Sequence, residues 1–291
     1  MPLPTAINAA ITQATGVAFH PVQHHAISGG CINQSFKLAD AQRSFFVKLN
    51  DASRLAMFES EAAGLREIAS TQSVRVPLPV CQGVADGQAF LVLEYLDLRT
   101  HGDAAALGQQ LAQMHRQVQN HFGWRRDNTL GSTAQPNPPT SDWPDFLREQ
   151  RIGYQLRLAA DNGHGGQLQT QGEKLMANLH LFFSDYQPQA SLLHGDLWGG
   201  NHGYLADATP VIFDPAVYYG DRECDLAMTE LFGGFAPAFY AAYREAWPLD
   251  GGYAVRKTLY NLYHILNHAN LFGGGYVAQA NHMLAKLNAE L

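Results

Sequence analysis

The stretch His194-Gly195-Asp196-Leu197-Trp198-Gly199-Gly200-Asn201 constrains this chain more than any other feature. It is followed by the apolar run Pro210-Val211-Ile212-Phe213 and then Asp214-Pro215-Ala216. Transfer of a phosphoryl group asks for one carboxylate that orients and deprotonates an acceptor hydroxyl. It also asks for an Asn and a second Asp that hold magnesium on the phosphates. Asp196, Asn201 and Asp214 are groups of those types in that order. A His-Gly-Asp triplet alone would be uninformative, and Asp-Pro is an ordinary turn starter. The Asn, the strand-like run and the second Asp together carry the reading.

The octapeptide agrees with the catalytic-loop pattern H-R-D-L-x-x-x-N at His194, Asp196, Leu197 and Asn201, with Gly195 in place of the Arg. With 291 residues, two domains of ordinary size or one large one fit. The composition, 46% hydrophobic and 15% charged, supplies a packed core without a disordered tract. A formal net charge of −7 argues against a general affinity for nucleic acid or anionic membrane. Met1 to Ala14 lacks a charged segment followed by an apolar one, and nowhere do 18 apolar residues run together, so the expected compartment is the cytoplasm. Cys31, Cys81 and Cys224 lie far apart with no C-x-x-C pair, and no H-E-x-x-H occurs, so neither a disulfide framework nor a zinc site is indicated.

Taken in order, residues 1 to 20 read as a short amphipathic helix and an extended segment. The loop from Ser28 to Phe36 contains Gly29, Gly30 and Cys31. Two adjacent glycines permit a tight turn whose amides can approach phosphates, although a plain hairpin turn is their usual explanation. Phe36 to Ala39 and Ser44 to Leu49 form a hairpin around Asp40 to Gln42. It places Lys48 within an apolar strand. Leu55, Phe58, Ala62, Leu65 and Ile68 then mark an amphipathic helix with Glu61 beside its apolar face. A strand Lys paired with a helix Glu is an arrangement that fixes a cation on nucleotide phosphates, with Glu59 as the rival partner.

Val74 to Val80 is extended by its prolines, Asp86-Gly87 is a hairpin turn, and Ala89 to Leu93 is a strand ending at Glu94-Tyr95-Leu96. The small sheet stops there, so the domains are drawn as 1–96 and 97–291, with backbone groups at the hinge able to read an adenine edge. A helix from Ala104 to Arg116 carries His115, read as a satisfied core histidine. The polar segment from His121 to Trp143 lacks periodicity and reads as an ordered functional loop. Helices over 143–161, 167–184 and 253–272 follow. Asp225 could anchor the catalytic loop through backbone hydrogen bonds, and Asp221 or Glu223 could either reach a cationic substrate or play a structural part.

With these motifs in place the sequence resembles the fructosamine kinases, also called ketosamine-3-kinases. The shared features are Gly-Gly-Cys-Ile-Asn (29 to 33), Phe-Val-Lys (46 to 48), Phe58-Glu59-Ser60-Glu61-Ala62, Asp127-Asn128, the loop from His194 to Asn201, Phe213-Asp214-Pro215-Ala216 and Gly220-Asp221-Arg222-Glu223 through Met228. The tryptophan within the catalytic loop separates this family from antibiotic-modifying relatives. The resemblance implies an α+β, protein-kinase-like two-lobed fold. Its N-lobe is a small antiparallel sheet with one helix, and its C-lobe is larger and mainly helical.

By the same resemblance, Asp196 accepts the proton of a sugar hydroxyl, and Asn201 and Asp214 bind Mg2+. Lys48 with Glu61 orients the ATP phosphates, and Glu94, Tyr95 and Leu96 hold adenine; the loop at Gly29, Gly30 and Cys31, on its own residues, is the candidate to approach the phosphates. Trp198 lies against the sugar. From the residues themselves, Asn128 and Asn137 offer the sugar neutral hydrogen bonds, and Asp221 and Glu223 are the further substrate candidates. The implied reaction is ATP-dependent phosphorylation of the 3-hydroxyl of a ketosamine, whose unstable 3-phosphate breaks down to release the amine, a deglycation. A small-molecule kinase acting on an aminoglycoside or choline, and an inactive kinase-shaped binding protein, are the alternatives. Asp-Pro-Ala in place of Asp-Phe-Gly, with no Ala-Pro-Glu segment, argues against a protein kinase switched by loop phosphorylation. The partner is then a small molecule, with neither nucleic acid nor membrane. The chain is expected as a monomer, or as a redox-dependent dimer through Cys31.

Overall fold

A computed structural model describes residues 5–27 and 32–291. Gly29, Gly30 and Cys31 therefore lie outside the described residues. The chain forms two compact units, Met1–Asp103 with His202–Pro215, and Ala104–Asn201 with Ala216–Leu291.

The first unit is built on a five-stranded antiparallel sheet: β1 (Gln23–Ile27), β2 (Gln34–Ala39), β3 (Ser44–Asp51), β4 (Pro79–Ala85) and β5 (Gln88–Glu94), in the order β1-β2-β3-β5-β4. The β2–β3 turn is closed by Asp40, whose Oδ1 accepts the N–H groups of Gln42 (2.8 Å) and Arg43 (2.6 Å). This is the side-chain mimicry of a backbone turn for which Asp is suited. On one face Phe45, Val47 and Leu49 meet Leu38, Phe90, Val92 and the helix α1 (Ala6–Thr15), whose Ile7 and Ile11 are fully buried. Each such side chain contributes roughly 1.5–3 kcal/mol of burial, so a charge at Val47 would break this layer. The alternating side chain, Lys48, belongs to the other face, where the helix α2 (Leu55–Ser70) packs on β4 and β5 through Met57, Phe58, Ala62, Leu65 and Ile68.

The hairpin His202–Tyr204 and Pro210–Ile212 belongs to this first unit, although it lies a hundred residues downstream. Arg99 and Tyr204 exchange both backbone hydrogen bonds (2.8 and 2.9 Å), and Ile212 N–H donates to Arg75 O (3.0 Å). A Cβ at Gly102 would meet the Tyr204 ring at 2.3 Å, so only glycine lets the chain pass there. These contacts extend the unit to Asp103 rather than ending it at 96.

The second unit is mainly helical. The helix α3 (Ala104–His115) packs on Pro237–Ala246, and Tyr253–Phe272 packs on Glu223–Leu231, Gly153–Asp161 and Gly275–Ala289. The short strand Ala190–Leu193 sits between Tyr218–Gly220 and Val118–Gln119. The segment 121–143 is ordered by a small hairpin, Asn128–Leu130 with Thr133–Gln135, turning at Gly131 (φ +61°). The helix expected over 143–161 is interrupted by a π-helical turn, Leu147–Ile152. Arg151 of that turn is fully buried between the rings of Phe146 (4.5 Å) and Tyr218 (4.1 Å). Among the described residues no helix is long and apolar enough to cross a membrane.

Candidate active site

In the first unit, β3 and α2 bring Lys48 and Glu61 together, and the chain leaving the downstream hairpin adds Asp214. Lys48 Nζ lies 2.7 Å from Glu61 Oε1 and 2.7 Å from Asp214 Oδ1. Burial alone would discharge this ammonium, but the charges of Asp214 and Glu61 outweigh it and raise its pKa. Burial raises the Glu61 carboxyl, with the Lys48 charge opposing and Asp214 adding to the rise. The two shifts pull the proton in opposite senses. We take the pair as ionised, because two oxygens share one ammonium at hydrogen-bond distance. Asp214 differs from its neighbours in two respects: its side chain is 45% exposed, and its φ of +58° is left-handed. A held outlier of this kind aims a side chain where relaxed backbone would not.

Glu94 is less available than its place at the hinge suggests. Its carboxylate pairs with Arg75 and accepts Leu78 N–H, and its own N–H donates to Leu78 O (2.9 Å). Tyr95 carries Lys37 Nζ over its ring at 4.0 Å. The Glu94 side chain is thus engaged within the unit.

In the second unit the strand Ala190–Leu193 delivers His194 into the catalytic loop. His194 N–H (2.7 Å) and Gly195 N–H (2.8 Å) both donate to the buried carboxylate of Asp225, as the sequence reading expects. His115 Nε2–H gives Asp225 a further hydrogen bond (3.1 Å), while its Nδ1 meets Tyr243 OH (2.8 Å), which also accepts from Arg222 (3.2 Å). The tautomer follows from Asp225 being only an acceptor. Burial raises the Asp225 pKa, yet these donors outweigh it and hold the group below the usual carboxylate range.

Gly195 has φ +82°, and a Cβ there would lie 2.1 Å from Ala216 O. Beyond it, Asn201 Nδ2 donates to Asp196 O (2.9 Å) and Asp196 Oδ2 (3.2 Å), which fixes the amide against the carboxylate and leaves Asn201 Oδ1 as its remaining group. Trp198 is 38% exposed, with its ring over Gly200, where a Cβ would meet it at 2.4 Å.

Four residues expected at the substrate are instead internal. Asp221 is fully buried and accepts from Tyr186 OH (3.0 Å), Tyr260 OH and Glu223 N–H (3.0 Å). Glu223 is fully buried on Arg256, with Nε at 2.8 Å and Nη2 at 3.0 Å. Burial pushes Glu223 up to about 7, opposed by the Arg256 hydrogen bonds and reinforced by the Asp221 charge. Neither carboxylate faces solvent, so neither stands ready for a cationic substrate. Asn128 and Asn137 are also buried: Asn128 Nδ2 donates to Val217 O (2.7 Å), and Asn137 bonds Asn128 Oδ1 (3.0 Å) and Arg151 (2.6 Å). They tie the 121–143 segment to the strand after the catalytic loop. A neighbourhood that motif reading misses is the set of rings around Trp198, namely Phe232, His268, Phe272 and Tyr276.

A family model described as fructosamine kinase matches residues 3–290. A Synechocystis protein named "Probable ketoamine kinase" is 49% identical over 277 residues, covering 94% of this chain and 93% of its own. The Arabidopsis thaliana "Protein-ribulosamine 3-kinase, chloroplastic" is 42% identical over 259 residues, covering 88% and 79%. A crystal structure named "Putative fructosamine-3-kinase", from Haemophilus somnus 129PT, superposes with a TM-score of 0.89 at 31% identity over 97% of this chain and 96% of that one. An aminoglycoside phosphotransferase mutant, solved in a ternary complex with AMP-PNP and hygromycin B, shares the fold alone, with a TM-score of 0.64 at 15% identity over 98% of both chains. The fold is protein-kinase-like, and the chain belongs to the fructosamine kinase family.

Proposed function

We propose that this protein transfers the γ-phosphoryl group of ATP to the 3-hydroxyl of a ketosamine, a sugar joined through its first carbon to an amine, and so acts in deglycation. The observation that carries the nucleotide half is the buried Lys48 held at 2.7 Å by both Glu61 and Asp214. It presents one fixed positive charge and one open carboxylate, as phosphate binding through a metal requires. The ketosamine half rests on the family and on the names of the relatives.

Asp196 receives the hydroxyl proton as the oxygen bonds to the γ-phosphorus and the bridging oxygen leaves with ADP. Asn201 steadies the Asp196 carboxylate through its amide nitrogen. Asn201 Oδ1 and the exposed Asp214 carboxylate are hard oxygen donors that suit magnesium. Magnesium held by such donors would neutralise charge on the phosphates. Trp198 offers a flat face to the C–H surface of the sugar.

The test is competitive turnover with ATP and magnesium on a ketosamine of lysine, free lysine, free fructose, choline and an aminoglycoside. The ketosamine is expected to have the highest kcat/KM. A higher value for choline or the aminoglycoside would overturn the assignment while leaving the fold intact.

A further inference from the structure

The rings around Trp198 form a row with no part in the reaction as derived so far. Trp198 meets Phe232 edge-on with centroids 6.3 Å apart, Phe232 meets His268 at 5.0 Å, and His268 packs on Phe272 (5.6 Å) and Tyr276 (5.0 Å). His268, Phe272 and Tyr276 recur every four residues across the glycine turn that joins helices Tyr253–Phe272 and Gly275–Ala289. All five belong to the second unit. The row begins two residues after Asp196 and ends at Phe272, which is 56% exposed. His268 Nδ1 lies 2.8 Å from His264 O, which only accepts. Nδ1 therefore carries the hydrogen and the neutral ring keeps Nε2 as an acceptor.

We propose that this row is the subsite for the carrier of the amine, so that Phe272 and Tyr276 set which ketosamines are used. The inference rests on the ketosamine reading above. An acceptor hydroxyl at Asp196 and a sugar against Trp198 leave the nitrogen substituent to run onward over the neighbouring rings. Their faces attract a substituted ammonium, cover an alkyl or aromatic stem, and offer His268 Nε2 to an N–H. The favoured carrier bears an aromatic or alkyl stem; a bare amine keeps the attraction of its ammonium to the ring faces but gains no stem contact from the row.

The test compares initial rates on three ketosamines of one sugar: 1-amino-1-deoxyfructose, its N-butyl derivative and its N-benzyl derivative. Contact of the stem with each partly exposed ring contributes roughly two- to fivefold, so wild-type KM should fall by about tenfold from the bare amine to the benzyl adduct. In the Phe272→Ala/Tyr276→Ala protein that preference should shrink to about twofold, and Phe272→Tyr alone should retain it. The single variant Phe272→Ala, at an exposed position, should show half the effect on a logarithmic scale if the double variant does not fold. A wild-type KM indifferent to the carrier, or a variant that raises KM equally for all three, would overturn the subsite but leave the ketosamine reading standing. Failure of folded wild-type protein to phosphorylate any of the three would overturn both.

Discussion

Two clusters of carboxylates in this molecule look alike in sequence and differ in what their charges face. In the first unit Glu61 and Asp214 share one lysine, and Asp214 keeps nearly half of its side chain exposed. In the second unit Asp221, Glu223 and Asp225 are buried, and each is met by its own donors: Tyr186 and Tyr260, Arg256, or His115 and the catalytic-loop amides. The difference separates charges kept for a ligand from charges used up inside the protein. Removing a group from the open set should be felt in turnover, and removing one from the sealed set in stability.

The largest expected effect is at the acceptor. Asp196→Asn should lower kcat by roughly 10²–10⁴-fold with ATP affinity kept, because the amide preserves shape but takes no proton; near wild-type turnover would remove Asp196 from its role. Next, Lys48→Met should cost roughly 10²–10³-fold in kcat per folded molecule, the scale of losing one fixed electrostatic contact, beside the stability lost by stranding the buried Glu61. Arg256→Met is the counterpart in the sealed set. It strands Glu223 beside Asp221 and should destabilise the fold by roughly 3–5 kcal/mol, while kcat per folded molecule stays within about threefold of wild type. A stable Arg256→Met protein without turnover would erase the distinction between the clusters.

The pH dependence sharpens the same comparison. Glu223 sits at about 7 in the fold, above its ordinary value of 4.5. Its contribution is thus fully present below about 4.5 and is lost as pH rises through about 7. Asp225 has the opposite sign: its lowered pKa gives stability that is present above the ordinary range and lost in acid. Denaturant unfolding at pH 5 and pH 8 should show wild type losing stability over this interval relative to Glu223→Gln, by roughly 1–3 kcal/mol. Parallel curves would mean that the Arg256 pairing defeats burial. The smallest effect concerns Cys81, half-buried with its thiol pushed up to about 11 by burial. Iodoacetamide should label it at pH 8 several-fold more slowly than a free cysteine does.

The groups with clear local patterns were legible in the sequence. Lys48 stands out in an alternating strand and Glu61 on a helix of three- and four-residue spacing. The helix Tyr253–Phe272 coincides with the span its apolar spacing predicts. Misreadings arose where exposure decides the role. A polar residue in a long loop reads as solvated, yet Asn128 and Asn137 turn inward to satisfy buried carbonyls and Arg151. Acids beside a motif read as either substrate ligands or structural groups, and Asp221 and Glu223 prove to be structural, spent on tyrosines and an arginine far along the chain. Chain order also hides that His202–Pro215 pairs with residues near 75 and 100, which is a matter of tertiary hydrogen bonds. The four-residue recurrence of His268, Phe272 and Tyr276 was visible in principle, but core-forming spacing and an open aromatic row share one period.

Gly195 has a consequence for how such an enzyme can evolve. Protein kinases place an arginine at this position of the loop, and arginines that pair with an added phosphate are how activation segments are ordered. Here even a methyl group would collide with Ala216 O at 2.1 Å, in a backbone conformation that disfavours any side chain. No single substitution at this position can install the cation without displacing the segment after Asp214. An arginine at this position is therefore closed to this chain as a partner for an added phosphate.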